Sequence, residues 1–239
     1  MEVDIFIPCF IDQIFPATGM NMVKILRKAG VKVHYNDKQT CCGQFAYNSG
    51  YFDVAYEMGE RFIGHFPHDR IIVSPSASCP GYIKKYYEKM FFNTGLHNEY
   101  KRINKNMYEF TDFMVNVLGI TDVGAVFPHK VTYHDSCAAL REYKLGDAPR
   151  QLLANVKGLE LIEMKDTDIC CGFGGTFSVK FEAIATAMGE QKIENALETG
   201  AEYIVSTDAS CFLHQNGIIK KQKKDIKTIH IIDVLASGW

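Results

Sequence analysis

The sequence IVSPSASC at residues 72–79 returns as IVSTDASC at residues 204–211, with six of the eight positions identical. Each copy begins as a short apolar run and ends on a cysteine, Cys79 or Cys211. The two copies lie 132 residues apart. A repeat at this distance indicates that one structural unit has been duplicated within the chain.

Three further segments match in the same order toward the N-terminus. Residues 58–60 match residues 188–190, both reading Met-Gly-Glu, and a Cys-Cys-Gly at residues 41–43 matches one at residues 170–172. Cys9 matches Cys137 at an offset of 128. The offset changes slowly, as short insertions would cause. Each half therefore carries a first cysteine, a Cys-Cys-Gly and a last cysteine, which together make a quartet of cysteines.

Apolar runs typical of buried strands alternate with helical patterns in both halves. This alternation predicts an α/β fold of two tandemly duplicated lobes, each a small parallel sheet flanked by helices, packed with pseudo-two-fold symmetry. We expect the first lobe at residues 1–100, a helical connection at 101–128 and the second lobe at 129–239.

The first and last cysteines of each half follow the ends of predicted strands. In open α/β sheets, ligands collect at the carboxyl edge of the strands. The Cys-Cys-Gly loop follows the second strand and can reach the same edge. The sequence therefore predicts four converging sulfurs in each lobe.

Composition excludes several classes of protein. The chain has 239 residues and a net charge of −2, so no global basic field points to a nucleic-acid partner. Glu2, Asp4 and Pro8 argue against a secretory signal at the N-terminus, and no apolar run is long enough for a transmembrane segment. We expect a cytoplasmic protein, in which eight cysteines are reduced thiols.

Clustered thiolates bind soft metals, either zinc or iron–sulfur groups. Neither half has the paired Cys-x2–4-Cys knuckles typical of zinc sites. Two adjacent cysteines suit a group of several irons better than one small tetrahedral ion. The alternative to metal binding is that all eight cysteines only fill the core. Their arrangement in two matching quartets favours metal binding.

Glycines follow both cysteine pairs. They let the backbone turn closely, so that amide groups can donate hydrogen bonds to a bound group. The predicted cofactor-binding glycines are Gly43, Gly172, Gly174 and Gly175. The last two also form a weak candidate for an anion-binding nest.

The repeated pattern resembles the cysteine-rich CCG family, which includes the B subunit of heterodisulfide reductase. Within that family, the chain is similar to the lactate-utilisation group. The similarity rests on QTCCGQFAYNSG at residues 39–50, FTDF at residues 110–113 and CCGFGGTFSVK at residues 170–180, and it runs the whole chain.

The resemblance implies an iron–sulfur subunit of an L-lactate dehydrogenase complex, which oxidises L-lactate to pyruvate. Its partners would be companion iron–sulfur and other subunits. The cofactor implied is an iron–sulfur cluster of the [4Fe–4S] type, with zinc left open for one lobe. The implied metal ligands are Cys9, Cys41, Cys42, Cys79, Cys137, Cys170, Cys171 and Cys211.

The chain departs from the fuller family pattern in the last segment of each lobe. Where the family has Cys-x-x-Cys, the first position is Ser76 in one lobe and Asp208 in the other. Each lobe then has four thiolates rather than five. Ser76 becomes a candidate contact to the bound group, and Asp208 a candidate oxygen ligand.

His134 lies between a strand end and Cys137, which makes it a candidate proton donor or neighbour of the bound group. No dinucleotide fingerprint follows the first strand, so flavin or nicotinamide chemistry would need a partner protein. Electron transfer is therefore the leading function. The alternatives are a zinc–thiolate scaffold without a redox role and a cluster-based disulfide reductase.

Overall fold

The structure is a computed structural model that describes residues 1–238. Trp239, the last residue of the predicted second lobe, lies outside the described residues. The chain forms two similar α/β lobes, each built on a four-stranded parallel sheet. The predicted fold class is confirmed.

The first lobe contains the sheet β2-β1-β3-β4. Its strands are β1 (Glu2–Ile5), β2 (Lys32–Tyr35), β3 (Ile71–Ser74) and β4 (Met107–Glu109). Its helices are α1 (Cys9–Ile14), α2 (Pro16–Lys28), α3 (Gln44–Asn48), α4 (Phe52–His65), α5 (Ser78–Phe91) and α6 (His97–Asn106).

The second lobe contains the sheet β6-β5-β7-β8, in the same topological order. Its strands are β5 (Lys130–Tyr133), β6 (Glu160–Leu161), β7 (Tyr203–Ser206) and β8 (Lys227–His230). Its helices are α8 (Ala148–Leu153), α9 (Phe177–Lys180), α10 (Glu182–Leu197), α11 (Ala209–Gln222) and α12 (Ile231–Leu235). The short helix α7 (Phe110–Asp112) precedes this lobe, and Phe113–Val117 and Ala139–Tyr143 are π-helical.

The expectation of a helical connection over residues 101–128 is wrong at residues 107–109. These residues form β4, which pairs in parallel with β3 as the fourth strand of the first sheet. Three residues are too few to show an alternating pattern, and the helical residues on both sides hide the strand in the sequence. None of the helices among residues 1–238 is long and apolar enough to cross a membrane.

A shared core joins the two lobes. Alternate residues of a strand point to opposite faces, so Val73 lies in the shared core while Ile72 lies in a core of the first lobe alone. The shared core also contains Val131 and Val205 of the second lobe, all fully buried. The inner faces of both sheets therefore belong to one hydrophobic unit.

Helices that carry cysteines pack crosswise between the lobes. Ile11 of α1 lies in one buried cluster with Phe212 of α11, and Ala77, just before α5, lies in another with Ala139 of the π-helical segment. Gly81 of α5 is needed here, because a Cβ at that position would lie 2.9 Å from the backbone nitrogen of Tyr143. This packing turns the carboxyl edges of both sheets toward each other.

Candidate metal centre

A cleft of about 330 Å³ opens where the two carboxyl edges meet. Residues of both lobes line it, including every cysteine of the chain. These cysteines are Cys9, Cys41, Cys42 and Cys79 of the first lobe and Cys137, Cys170, Cys171 and Cys211 of the second. The predicted convergence of four sulfurs at each sheet edge agrees with this placement, and the two quartets also share one cleft, which the sequence did not predict.

All eight cysteines are free thiols. The second member of each Cys-Cys pair and the last cysteine of each lobe are buried, whereas Cys9 is exposed. In the second lobe, the sulfurs of Cys137 and Cys170 are 3.7 Å apart. Each quartet is thus reachable from the cleft but anchored in the protein.

The glycine after each cysteine pair turns the chain in a left-handed conformation. Gly43 has φ +90° and Gly172 has φ +86°. A Cβ at Gly172 would lie 2.3 Å from the carbonyl oxygen of Ala185 on α10, and one at Gly43 would lie 3.1 Å from that of Ala55 on α4. Only glycine fits this close approach comfortably. The Gly172 amide donates a hydrogen bond to the Cys170 sulfur.

The thiols within each quartet compete for ionisation. Hydrogen bonds from Cys42 and Cys9 lower the pKa of Cys41 to about 3, and hydrogen bonds from Cys137 and Cys171 lower the pKa of Cys170 to about 2. The same hydrogen bonds, together with burial, raise the pKa of Cys9 and Cys137 above the ordinary thiol range. One thiolate per quartet is favoured, and further ionisation needs a cation that offsets the repulsion.

His134 lies beneath the second quartet. Its ring and the sulfurs of Cys171 and Cys211 offer three ligand atoms within 4.8 Å of one another. The imidazole is fully buried, and neither ring nitrogen has a hydrogen-bond partner among residues 1–238. Burial, helped by the charge of Lys192, lowers the pKa of His134 to about 3, so the ring is neutral. A buried, unpaired neutral nitrogen beside thiols fits a soft metal ion.

Asp208 joins the two lobes at the floor of the cleft. Its Oδ1 accepts hydrogen bonds from the Ser76 hydroxyl at 2.6 Å and from the Ser78 amide at 3.0 Å. Its Oδ2 accepts a hydrogen bond from the Ser136 hydroxyl. The carboxylate is 1% exposed. Ser76 and Asp208, which occupy matching positions of the two repeats, therefore bond to each other, and both Asp208 oxygens are engaged within the protein.

The other predicted site residues divide by position. Gly174 and Gly175 line the cleft with φ +51° and +65°. Gly43, Gly172 and His134 lie behind the lining and support it. Lys192 was not among the residues predicted from the sequence; it is fully buried and donates to the carbonyl oxygens of Asp166 and Thr167. Extending the Met-Gly-Glu match by two residues would have shown it, because a lysine there replaces Phe62.

Comparison with known proteins supports the duplication. The family model of the cysteine-rich CCG domain matches residues 3–84 and again residues 131–215. A solved structure of a hypothetical protein from Helicobacter pylori superposes with a TM-score of 0.68 at 10% identity. It covers 100% of this chain, which spans 49% of that chain, and the likeness shows the fold alone.

Two curated relatives are similar along almost their whole length. Lactate utilization protein A of Oceanobacillus iheyensis is 39% identical over 235 residues, covering 98% of this chain and 96% of that protein. Lactate utilization protein A of a Geobacillus species is 40% identical over 237 residues, covering 99% and 100%.

The lowered thiol pKa values predict that two thiolates survive in mildly acidic solution. A group with a depressed pKa stays ionised above that pKa, so Cys41 and Cys170 of the metal-free chain should remain thiolates at pH 5, where an ordinary thiol with a pKa of about 8.5 is protonated. Ultraviolet thiolate absorbance, followed from pH 9 to pH 4 without oxygen, measures this. Cys41→Ser and Cys170→Ser should each remove a share of the pH 5 signal, while Cys9→Ser should not. Complete loss of absorbance by pH 7 in the unmodified chain would contradict the arrangement.

The bonds of Asp208 predict a loss of stability when they are removed. Asp208→Ala leaves three donors without their acceptor and should lower the free energy of unfolding of the metal-free chain by about 2–4 kcal/mol. The matched change in the other lobe, Ser76→Ala, should cost only about 1 kcal/mol. Urea unfolding measures both. An Asp208→Ala chain of unchanged stability that no longer binds metal would instead make Asp208 a ligand.

Proposed function

The chain belongs to the cysteine-rich CCG domain family, in the group of lactate utilization protein A, and from that premise we propose that it is an iron–sulfur electron-transfer subunit of a complex that oxidises L-lactate or a related 2-hydroxy acid. The relatives' names support the role in lactate use. The electron-transfer role is argued from the site.

One observation carries the proposal: both cysteine quartets open on the same cleft. The first quartet would hold one group through Cys9, Cys41, Cys42 and Cys79, and the second would hold another through its four cysteines. A metal group in each lobe would let an electron pass from one lobe to the other across the cleft, which a structural crosslink does not need. When bound, an iron–sulfur group supplies one-electron oxidised and reduced states.

The chain's own residues prepare the cleft for such groups. Burial of Cys42, Cys79, Cys171 and Cys211 keeps water away from half of the sulfurs. The Gly172 amide points at the Cys170 sulfur, and hydrogen bonds to sulfur raise the reduction potential of a bound cluster. Asp208 holds the two lobes together beneath both quartets.

The proposal requires companion subunits. Oxidation of lactate to pyruvate releases two electrons and two protons. The segment that follows β1 reads Pro8-Cys9-Phe10 and has no dinucleotide fingerprint. The electrons must therefore pass to a redox group on a partner. The proposal also places the chain in the cytoplasm, where the reducing environment keeps eight cysteines as thiols.

A second candidate function is a zinc-held scaffold without a redox role. The group formed by His134, Cys171 and Cys211 favours it, because zinc also takes mixed nitrogen and sulfur ligands. Zinc has no second oxidation state in proteins, so reduction separates the two candidates.

The test is a redox titration of the anaerobically purified full chain, followed by electron paramagnetic resonance and visible absorbance. We expect a brown protein whose spectrum responds to reduction. Cys41→Ser and Cys170→Ser should each abolish the signal of one lobe, because a [4Fe–4S] cluster needs its four thiolates. Ser210→Ala, which changes a cleft residue that is not a thiol, should leave both signals. A colourless chain with no redox response after reconstitution with iron and sulfide would defeat the electron-transfer function.

A further inference from the structure

We infer that His134 is a direct metal ligand in the second lobe, a fifth donor beside the four thiolates, so that this lobe offers nitrogen and sulfur while the first lobe offers sulfur alone. The inference rests on the proposed metal centre and specifies one of its ligands. It makes the two lobes chemically unlike, although they share one fold and one cysteine pattern.

Geometry is the first support. A nitrogen of His134 and the sulfurs of Cys171 and Cys211 all lie within 4.8 Å of one another. Both ring nitrogens are buried and have no hydrogen-bond partner in the part of the chain that the structure describes. An imidazole that is buried without any partner is costly, and a bound metal ion would satisfy one nitrogen.

The first lobe shows what the same position looks like without a donor atom. The Phe6 amide donates to the Val73 carbonyl at 3.0 Å, and the His134 amide donates to the Val205 carbonyl at 2.8 Å. Both residues follow the first strand of their lobe and precede its first cysteine by three positions. Phe6 and His134 are therefore equivalent, and the fold itself needs only a buried ring there.

A second difference between the lobes accompanies the replacement of Phe6 by His134. Phe62 lies three residues after Gly59 on α4, and Lys192 lies three residues after Gly189 on α10. Phe6 packs edge-to-face on Phe62 with ring centroids 4.8 Å apart. In the second lobe, the Lys192 ammonium turns to the carbonyls of Asp166 and Thr167, so it does not bond to His134. The apolar pair Phe6 and Phe62 of the first lobe thus corresponds to the nitrogen-bearing pair His134 and Lys192 of the second. The His134 imidazole lies beside the thiols.

The exchange also changes the charge around the second quartet. A neutral imidazole adds a ligand without adding negative charge, and the Lys192 ammonium lies close by. The Asp208 carboxylate also acts on the second quartet, where the first lobe has Ser76, so the two quartets differ in charge as well as in donor atoms.

The experiment uses Co²⁺ as the probe, because it is paramagnetic and takes both sulfur and nitrogen ligands. The metal-free full chain is loaded with Co²⁺ without oxygen after the histidines have been labelled with ¹⁵N. The Cys41→Ser/Cys42→Ser chain isolates the second lobe, and the Cys170→Ser/Cys171→Ser chain isolates the first. Pulsed electron paramagnetic resonance then detects any histidine nitrogen bound to the metal.

We expect a histidine nitrogen coupling in the second-lobe chain and none in the first-lobe chain. His134→Phe, which copies the first lobe, should remove the coupling and weaken Co²⁺ binding in the second lobe at least about tenfold, as loss of even an outer-shell partner does. The control His214→Asn changes a histidine bonded to the Ala185 carbonyl and should keep the coupling.

Thiolate-to-cobalt absorption in the second lobe without any nitrogen coupling would overturn the inference and leave the thiolate centre of the proposed function standing. A coupling that persists in His134→Phe would also overturn it. If His134→Phe does not fold, His134→Asn replaces it: loss of the coupling in that chain, with the coupling kept in His214→Asn, supports the inference, and a coupling kept in both overturns it.

Discussion

Four thiols packed at the edge of each sheet cannot all ionise unless a cation joins them. In each quartet the first member of the Cys-Cys pair, Cys41 or Cys170, takes the negative charge. Its neighbours stay protonated by donating hydrogen bonds to it. A metal group reverses this balance by offsetting the repulsion, and binding then releases protons. The arrangement of thiols therefore fits a metal-binding site better than it fits an apolar core.

The fold supplies the geometry that brings the thiols together. Parallel strands end at one edge of each sheet, and the crosswise packing of α1 against α11 turns both edges to the same cleft. The buried carboxylate of Asp208 receives donors from both lobes at that point. The shared core on the inner faces of the sheets then fixes the lobes relative to each other. Metal binding, lobe packing and the Asp208 bonds depend on the same few segments.

The sequence predicts the duplicated lobes, the parallel sheets and the sulfur edge because these follow from repeated motifs and from strand–helix alternation. It does not predict β4, since three residues between helical segments carry no period of their own. It also does not show that the quartets share one cleft, because the packing of two lobes depends on contacts such as that between Ile11 and Phe212, far apart in the chain. Lys192 was missed for a different reason: it departs from the repeat, and a search for matches passes over the positions where the two copies differ.

The most direct test of the metal centre is an analysis of iron, zinc and acid-labile sulfide in the full chain, purified without oxygen. We expect iron and sulfide in equal amounts, about four of each for every occupied lobe if the clusters are of the [4Fe–4S] type. Zinc in stoichiometric amount with no iron or sulfide, unchanged after anaerobic reconstitution, would contradict the electron-transfer function and leave a zinc-held scaffold.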